Sequence, residues 1–196
     1  KDVPADIELA TVIEGLLSIF AALKRKPIHK IQGLWAELLV IERSKNPLIV
    51  ANAWHNSPGS KYDFTMGSDK VEVKSTSSEE RVHKFSLDQL NPTSSSQLLI
   101  ASTIVRESAK DENGLSVDDM YKRICNRVKD IEARMHIYSV ITNTLGDEYE
   151  KANTVYFDYV TGKDSLAFYE YADIPRILKK DVPPFVSCVK FDSNLT

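Results

Sequence analysis

The sequence is short of the residues from which many small-molecule and redox sites are built. It has two cysteines, Cys125 and Cys188, 63 positions apart and in no CxxC pair. Two isolated thiols make neither a disulfide framework nor a thiolate metal site, so both are expected to be reduced, as in a cytoplasmic protein. There are seven glycines and no GxSxG, P-loop or dinucleotide fingerprint, which excludes the common phosphate-cradling loops. His29, His55, His83 and His136 show no HxxxH or HExxH spacing. Apolar stretches reach roughly ten residues, too short to span a bilayer, and no signal peptide opens the chain, so no membrane partner is expected. An excess of positive charge is also missing, with 25 Lys and Arg against 28 Asp and Glu, a net −3. Proteins that grip nucleic acid are usually basic because phosphate contacts supply much of the affinity. Such an activity here would have to use local clusters: Lys24, Arg25, Lys26 and Lys30; Arg81, His83 and Lys84; or Lys122, Arg123 and Arg127. Each reads more readily as an ordinary solvated face than as a DNA contact.

What is present suffices for one compact domain over residues 1–196, since 42% of 196 residues are hydrophobic. Apolar residues at helical spacing over 5–24 predict a helical lead-in within 1–29, ended by Pro27. The core and C-terminal strands are expected over 30–196. A second helix is predicted over 30–43, closed by Pro47. The period then changes to two, predicting strands over 48–54, 62–66 and 70–76, with a turn at Asn56-Ser57-Pro58-Gly59-Ser60 and a tight Gly67-Ser68-Asp69 connection. The last two strands should pair as an antiparallel hairpin. Further along, 81–87 reads as extended, 88–90 as a turn, 93–96 as a loop and 97–105 as a buried strand. Ser116 reads as a helix N-cap, with Asp118 and Asp119 in the first turn of a helix reaching 128. Another helix is expected over 130–145, then strands near 154–160, 165–171 and 185–191. The fold class is therefore α/β, a mixed β-sheet flanked by helices.

Chemistry gathers around Glu72-Val73-Lys74. In a strand Glu72 and Lys74 share one face while Val71 and Val73 turn to the core. With 28 acids and 17 lysines in 196 residues, about two such spacings arise by chance, so the tripeptide alone carries nothing. Asp63 changes that. A hairpin centred near residue 68 brings it opposite 72–73, and aspartate is a poor strand former between Tyr62 and Phe64. Two converging carboxylates repel unless a cation lies between them, and a hard divalent ion with oxygen ligands answers that need. Lys74 beside them could orient an attacking water or neutralise charge growing on a phosphate. Glu37 is the fourth member, in the second helix with Gly33 one turn before it, where a glycine would let the helix approach the sheet. The plain alternative for Glu37, Glu72 and Lys74 is a solvated face. Ser75 and Thr76 could hydrogen-bond a DNA backbone, and Arg81, His83 and Lys84 could touch phosphate, although loop hydroxyls and surface histidines are common without such roles.

Several blocks in order resemble the bacterial PD-(D/E)xK proteins of the restriction-endonuclease-like superfamily. They are Gly33-Leu34-Trp35-Ala36-Glu37-Leu38-Leu39, Ala53-Trp54-His55, Tyr62-Asp63-Phe64 and Val71-Glu72-Val73-Lys74-Ser75-Thr76. His83-Lys84-Phe85-Ser86-Leu87-Asp88-Gln89-Leu90 follows, then Ile174-Pro175-Arg176-Ile177 and Val189-Lys190-Phe191. Tyr62 stands where the family's name has proline. The resemblance implies a restriction-endonuclease-like core, with metal held by Asp63, Glu72 and the Val73 carbonyl, Lys74 as catalytic lysine, Glu37 as the helix carboxylate and Gln89 near the site. It also implies Mg²⁺, with Mn²⁺ substituting, as cofactor of an endodeoxyribonuclease acting on DNA in bacterial restriction or phage defence. Other subunits of a defence system or a homodimer are the expected partners. A catalytically inactive scaffold that binds DNA or protein is the alternative, favoured by the acidic balance. Because relatives carry an additional N-terminal region and the sequence opens on Lys1 rather than Met, a segment is expected to precede it.

Overall fold

A computed structural model describes residues 6–22, 31–55, 59–92 and 97–196. It opens with helices α1 (Asp6–Ala22), α2 (Ile31–Arg43) and α3 (Pro47–Ala53). Strands β1 (Phe64–Met66), β2 (Asp69–Thr76), β3 (Val82–Ser86), β4 (Gln97–Ile104), β5 (Glu107–Ser108) and β6 (Gly114–Leu115) follow. The second half holds α4 (Val117–Arg127), α5 (Ile131–Leu145), α6 (Tyr149–Ala152), β7 (Tyr156–Asp158), α7 (Tyr159–Ser165), β8 (Ala167–Glu170) and β9 (Lys190–Asn194). The main sheet has the order β1-β2-β4-β8. β2 and β4 run parallel, while β1 and β8 are antiparallel to their neighbours at the two edges. Gly67, with φ 61°, occupies the first position of the two-residue turn joining Met66 to Asp69, as such hairpins favour. The fold is thus the expected mixed sheet flanked by helices.

The two faces of the sheet follow from strand alternation. Val71 and Val73 of β2, with Phe64, Ala101 and Val105, pack into the larger core, built largely from α2, α4 and α5. Leu98 and Ile100 point the other way, into a smaller core with Tyr62, Phe85, Leu90 and Ile174. On the larger-core face, α2 is buried almost throughout from Leu34 to Glu42. It lies between the sheet and the helices behind it and is apolar on most sides, as an enclosed helix must be.

Several elements depart from the sequence reading. Of the strand expected over 48–54, all but Trp54 lies in helix α3, and Trp54 is extended and forms only an isolated bridge to Phe64. Asn46 accepts from the Ile49 amide through its side chain and Pro47 sits at the first helical position, so the Asn-Pro pair opens a helix rather than merely closing the one before. The β-branched Ile49 and Val50 were misleading because capping outweighs their propensity here. The strand expected over 62–66 begins only at Phe64. The extended segment over 81–87 is β3, paired antiparallel with β9 in a separate two-stranded sheet. Only Tyr156–Asp158 of 154–160 is strand, and Tyr159 starts α7, capped by Asp158. The last strand is Lys190–Asn194, since Phe185 and Cys188 hold left-handed φ of 69° and 57° that interrupt extended chain. Ser116 does cap α4, in a reciprocal capping box with Asp119. Pro27, the cluster Lys24, Arg25, Lys26 and Lys30, His29, the loop over 93–96 and most of the 56–60 turn lie outside the described residues.

Gly33 does not serve the close approach expected of it. Among the described residues a Cβ there would meet nothing within 4 Å. A glycine that does permit close packing against the core is Gly162 of α7, where a Cβ would lie 2.8 Å from the Trp35 ring. Trp35 cannot retreat, because it is fully buried and its Nε1 donates to the Leu115 carbonyl at 2.9 Å. A buried leucine contributes about 2 kcal/mol, enough for Leu34, Leu38 and Leu39 to offset the cost of about 1 kcal/mol of a helical glycine. Gly33→Ala should therefore raise stability by a few tenths to about 1 kcal/mol, whereas Gly162→Ala should lower it by about 1–3 kcal/mol through overpacking. Urea unfolding of the two variants beside the parent checks both signs.

Candidate active site

The site begins where β1 stops short. β1 covers β2 only from Asp69 to Val71, leaving the following residues of that β2 edge without a strand partner among the described residues. The Asp63 carboxylate fills the gap, its Oδ2 accepting from the Val73 amide at 2.6 Å. Asp63 is itself fixed by the chain before it: Trp54 makes an isolated bridge to Phe64, and the His55 amide donates to the Asp63 carbonyl at 2.9 Å. His55 has φ 40°, a conformation that costs a side-chain-bearing residue about 1 kcal/mol or more. Those bridges hold it there.

Glu37 reaches this junction from α2. Its Oε2 accepts from Trp54 Nε1 at 2.7 Å and lies 2.9 Å from His55 Nε2. His55 Nε2 is in turn 3.8 Å from Asp63 Oδ1. Across the β2 edge, Glu72 points to the smaller-core face with only 5% of its side chain exposed. Its Oε1 receives Lys74 Nζ at 2.7 Å and Gln89 Nε2 at 2.6 Å. Gln89 is steadied by its turn, accepting from the Ser86 amide at 3.0 Å, and Lys74 sits over the Phe85 ring. Glu72 and Lys74 are therefore far more enclosed than a solvated strand face.

Electrostatics make this gathering costly without counter-charge. Burial, with repulsion from Glu37 and Glu72, holds the Asp63 carboxyl well above the usual carboxylate range, against the opposing pull of the Val73 amide and Lys74. Burial also raises Glu72, against the pull of the Lys74 ammonium. Glu37, His55 and Asp63 each offer a donor atom, all within 4.8 Å of one another. Asp63 Oδ1, Glu37 Oε1 and Glu72 Oε2 accept no hydrogen bond among the described residues, leaving oxygen lone pairs for a ligand. Such a donor set fits a divalent cation.

The other expected contacts are placed less uniformly. Ser75 receives Gln32 Nε2 at 3.3 Å, Thr76 receives the Ser78 amide at 3.1 Å, and Lys84 is exposed. Arg81 is instead spent inside the protein, on the Ser102 carbonyl and hydroxyl at 2.9 Å each and on the Ser165 carbonyl. His83 is buried 2.8 Å from Ser102 Oγ, and burial, with Lys74 and Arg81 nearby, pushes its imidazole down to about 4. These two residues stitch β3 to β4, neutral ring included, and present nothing to a phosphate. Lys84 instead lines a cleft of about 570 Å³ with Lys61, Lys190, Phe85, Ser86, Gln89 and one acid, Asp88, so that three lysines face a single carboxylate there. Lys61, Lys190 and His55 were invisible as a group in the sequence. His55 fits no local ligand spacing, and only its place in the Trp54-His55 block hinted at a role.

The sequence of this domain matches, over residues 11–196, the family model described as "Putative PD-(D/E)XK family member (DUF4420)". The chain belongs to that family. Neither curated proteins nor solved structures give a match. Tyr62, the residue before Asp63, has a structural use: its hydroxyl donates to the Gln89 carbonyl at 3.2 Å, and burial raises the phenol to about 12.

The raised carboxyls predict a pH signature. A carboxyl whose folded pKa lies above its unfolded value stabilises the fold fully below the unfolded value and loses that contribution as pH rises through the folded one. At neutral pH, Asp63 thus works against the fold unless a cation is bound. Asp63→Asn, which keeps an acceptor for the Val73 amide, should melt higher than the parent in metal-free buffer at neutral pH. The gap should shrink towards about pH 4. His83 changes oppositely, losing stability as pH falls from about 6.5 to about 4, but it is common to both proteins. Thermal melts of the pair across that range test the sign.

Proposed function

We propose that this protein is a divalent-metal-dependent endodeoxyribonuclease that hydrolyses DNA phosphodiester bonds, in bacterial restriction or phage defence. The observation that carries this reading is the gathering of Glu37, Asp63, Glu72 and Lys74 at one uncovered strand edge, with carboxylate oxygens left open. Asp63 and Glu72 would hold the ion, Mg²⁺ or its substitute Mn²⁺. The Val73 carbonyl would join them, since the N–H and C=O of one strand residue leave the strand on the same side and the Val73 amide already faces Asp63. A bound ion supplies Lewis acidity toward phosphate oxygen and a charge that favours deprotonated water.

The chain's own residues do the rest. Lys74, tethered to Glu72, orients the attacking water and offsets charge growing on the phosphate. Gln89 keeps Glu72 in place through the second bond to Oε1. Glu37 acts from the helix side, aimed by Trp54 and His55. The lysine cleft beside Gln89 supplies local positive potential that the net charge of −3 conceals. Ser75, Thr76 and Lys84 are the proposed contacts to the DNA backbone.

Lys74→Ala should lower cleavage of plasmid DNA by at least about a hundredfold in Mg²⁺ and, by taking the counter-charge from buried Glu72, should also lower the melting temperature of a still folded protein. Asp63→Ala should remove cleavage outright. Nicking and linearisation on gels read both, and a Lys74→Ala protein that cuts at the parent's rate removes this mechanism. No cleavage by the parent with any divalent ion would leave the scaffold reading in its place.

The cleft gives a separate expectation. Replacing Lys84 and Lys190 together by alanine should weaken DNA binding across all sequences. It should flatten the dependence of affinity on salt by about one in slope per lysine lost. Fluorescence anisotropy over a range of salt measures it, and an unchanged slope places the DNA elsewhere.

A further inference from the structure

One side chain at the site is not of the kind a Mg²⁺ centre calls for. Glu37, His55 and Asp63 come from α2, the end of α3 and the approach to β1, and their donor atoms converge within 4.8 Å. Two are carboxylate oxygens and the third is an imidazole nitrogen. Mg²⁺ takes oxygen ligands and sheds water reluctantly, whereas imidazole binds first-row transition dications well.

We infer that His55 is a metal-selecting ligand. With Glu37 and Asp63 it forms a mixed nitrogen–oxygen position that takes a first-row transition dication, such as Mn²⁺ or Zn²⁺, in preference to Mg²⁺. This deepens the nuclease reading, naming the class of ion for the same site and adding a ligand to it. Three features support it. First, donors about 2.1 Å from one ion stand about 3 Å apart when adjacent and about 4.2 Å apart when opposite. His55 Nε2 lies 2.9 Å from Glu37 Oε2 and 3.8 Å from Asp63 Oδ1, inside that span. Second, Asp63 Oδ1 has no hydrogen-bond donor among the described residues, although its side chain is only 13% exposed. It faces the imidazole and is available to a ligand. Third, the position has the outer support that metal ligands have. Trp54 Nε1 donates to Glu37, His136 Nε2 lies 2.6 Å from the Trp54 carbonyl, and the His55 amide is bonded to Asp63. Asp63 stands between this position and the β2 edge, so one carboxylate links the imidazole side to the Val73 and Glu72 side.

The experiment reads metal binding without DNA. Metal-free protein is titrated with Mn²⁺, alone and against Mg²⁺, and the Mn²⁺ complex is examined by pulsed electron paramagnetic resonance. The parent should show coupling of the ion to a directly bound histidine nitrogen, changed by isotope-labelled histidine. It should prefer Mn²⁺ over Mg²⁺ by at least about tenfold. His55→Gln should lose the nitrogen coupling and most of that preference, with Mg²⁺ affinity the less affected. A parent without nitrogen coupling, or a folded His55→Gln with the same Mn²⁺-to-Mg²⁺ ratio, overturns the inference. Should His55→Gln fail to fold, the labelled parent decides alone. A nitrogen-bound Mn²⁺ in a protein that cuts no DNA would keep this inference and remove the nuclease reading. Cleavage without nitrogen coupling would do the reverse.

Discussion

Three carboxylates brought together with little water around them are the constraint to which the rest of this structure answers. Two charges a few ångströms apart repel strongly once water is excluded, and each loses solvation as well. Asp63 and Glu72 are accordingly displaced toward their protonated forms. Nothing local in the sequence would choose this arrangement. It persists because every carboxylate is held by a donor whose own position is fixed elsewhere: Trp54 and His55 for Glu37, the Val73 amide for Asp63, Lys74 and Gln89 for Glu72. Those donors sit on elements secured by the apolar core, with Trp35, Trp54 and Phe64 all fully buried. Core burial thus offsets a polar cluster that would disperse on its own.

This division explains what could be read from the sequence. The β2 alternation, the Gly67-Ser68 turn and the α4 cap are local, each set by residues within a few positions of one another. The hairpin also brought Asp63 within reach of β2, because counting across a two-residue turn is arithmetic. Glu37 could be placed on a helix, but its direction depends on Trp54 and His55, 17 and 18 residues later. The pairing of β3 with β9 joins segments more than a hundred residues apart, and no periodicity announces that. The same limit explains α3, where a proline after an asparagine was read as a stop because its helix-opening role needs the following residues to bury Ala51 and Ala53. It also explains why the useful glycine is Gly162 and not Gly33. Steric need depends on what lies opposite, and Trp35 stands opposite Gly162 from a distant part of the chain.

Charge behaves in the same way. The formal balance of −3 counts every residue equally, although screening at physiological salt confines an exposed charge to about 8 Å. What a phosphate would meet is therefore decided by Lys61, Lys84 and Lys190 around the cleft, which outnumber its one acid, Asp88, and not by acids elsewhere on the surface. Arg81 and His83, adjacent in sequence to Lys84, add nothing to that cleft because alternation along β3 and burial turn them inward. Three neighbouring residues that look like one basic patch are two structural ties and one exposed cation.

The tyrosine at position 62 joins these threads. A proline there would place a rigid ring before Asp63. Tyr62 instead buries its ring in the smaller core and sends its hydroxyl to the Gln89 carbonyl. Gln89 donates to Glu72, and Glu72 holds Lys74. The residue before one carboxylate thus supports, through the turn after β3, the partner of the other. Tyr62 adds a tie between the two sides of the strand edge, so that Asp63 and Glu72 are positioned by a shared scaffold rather than by two independent loops.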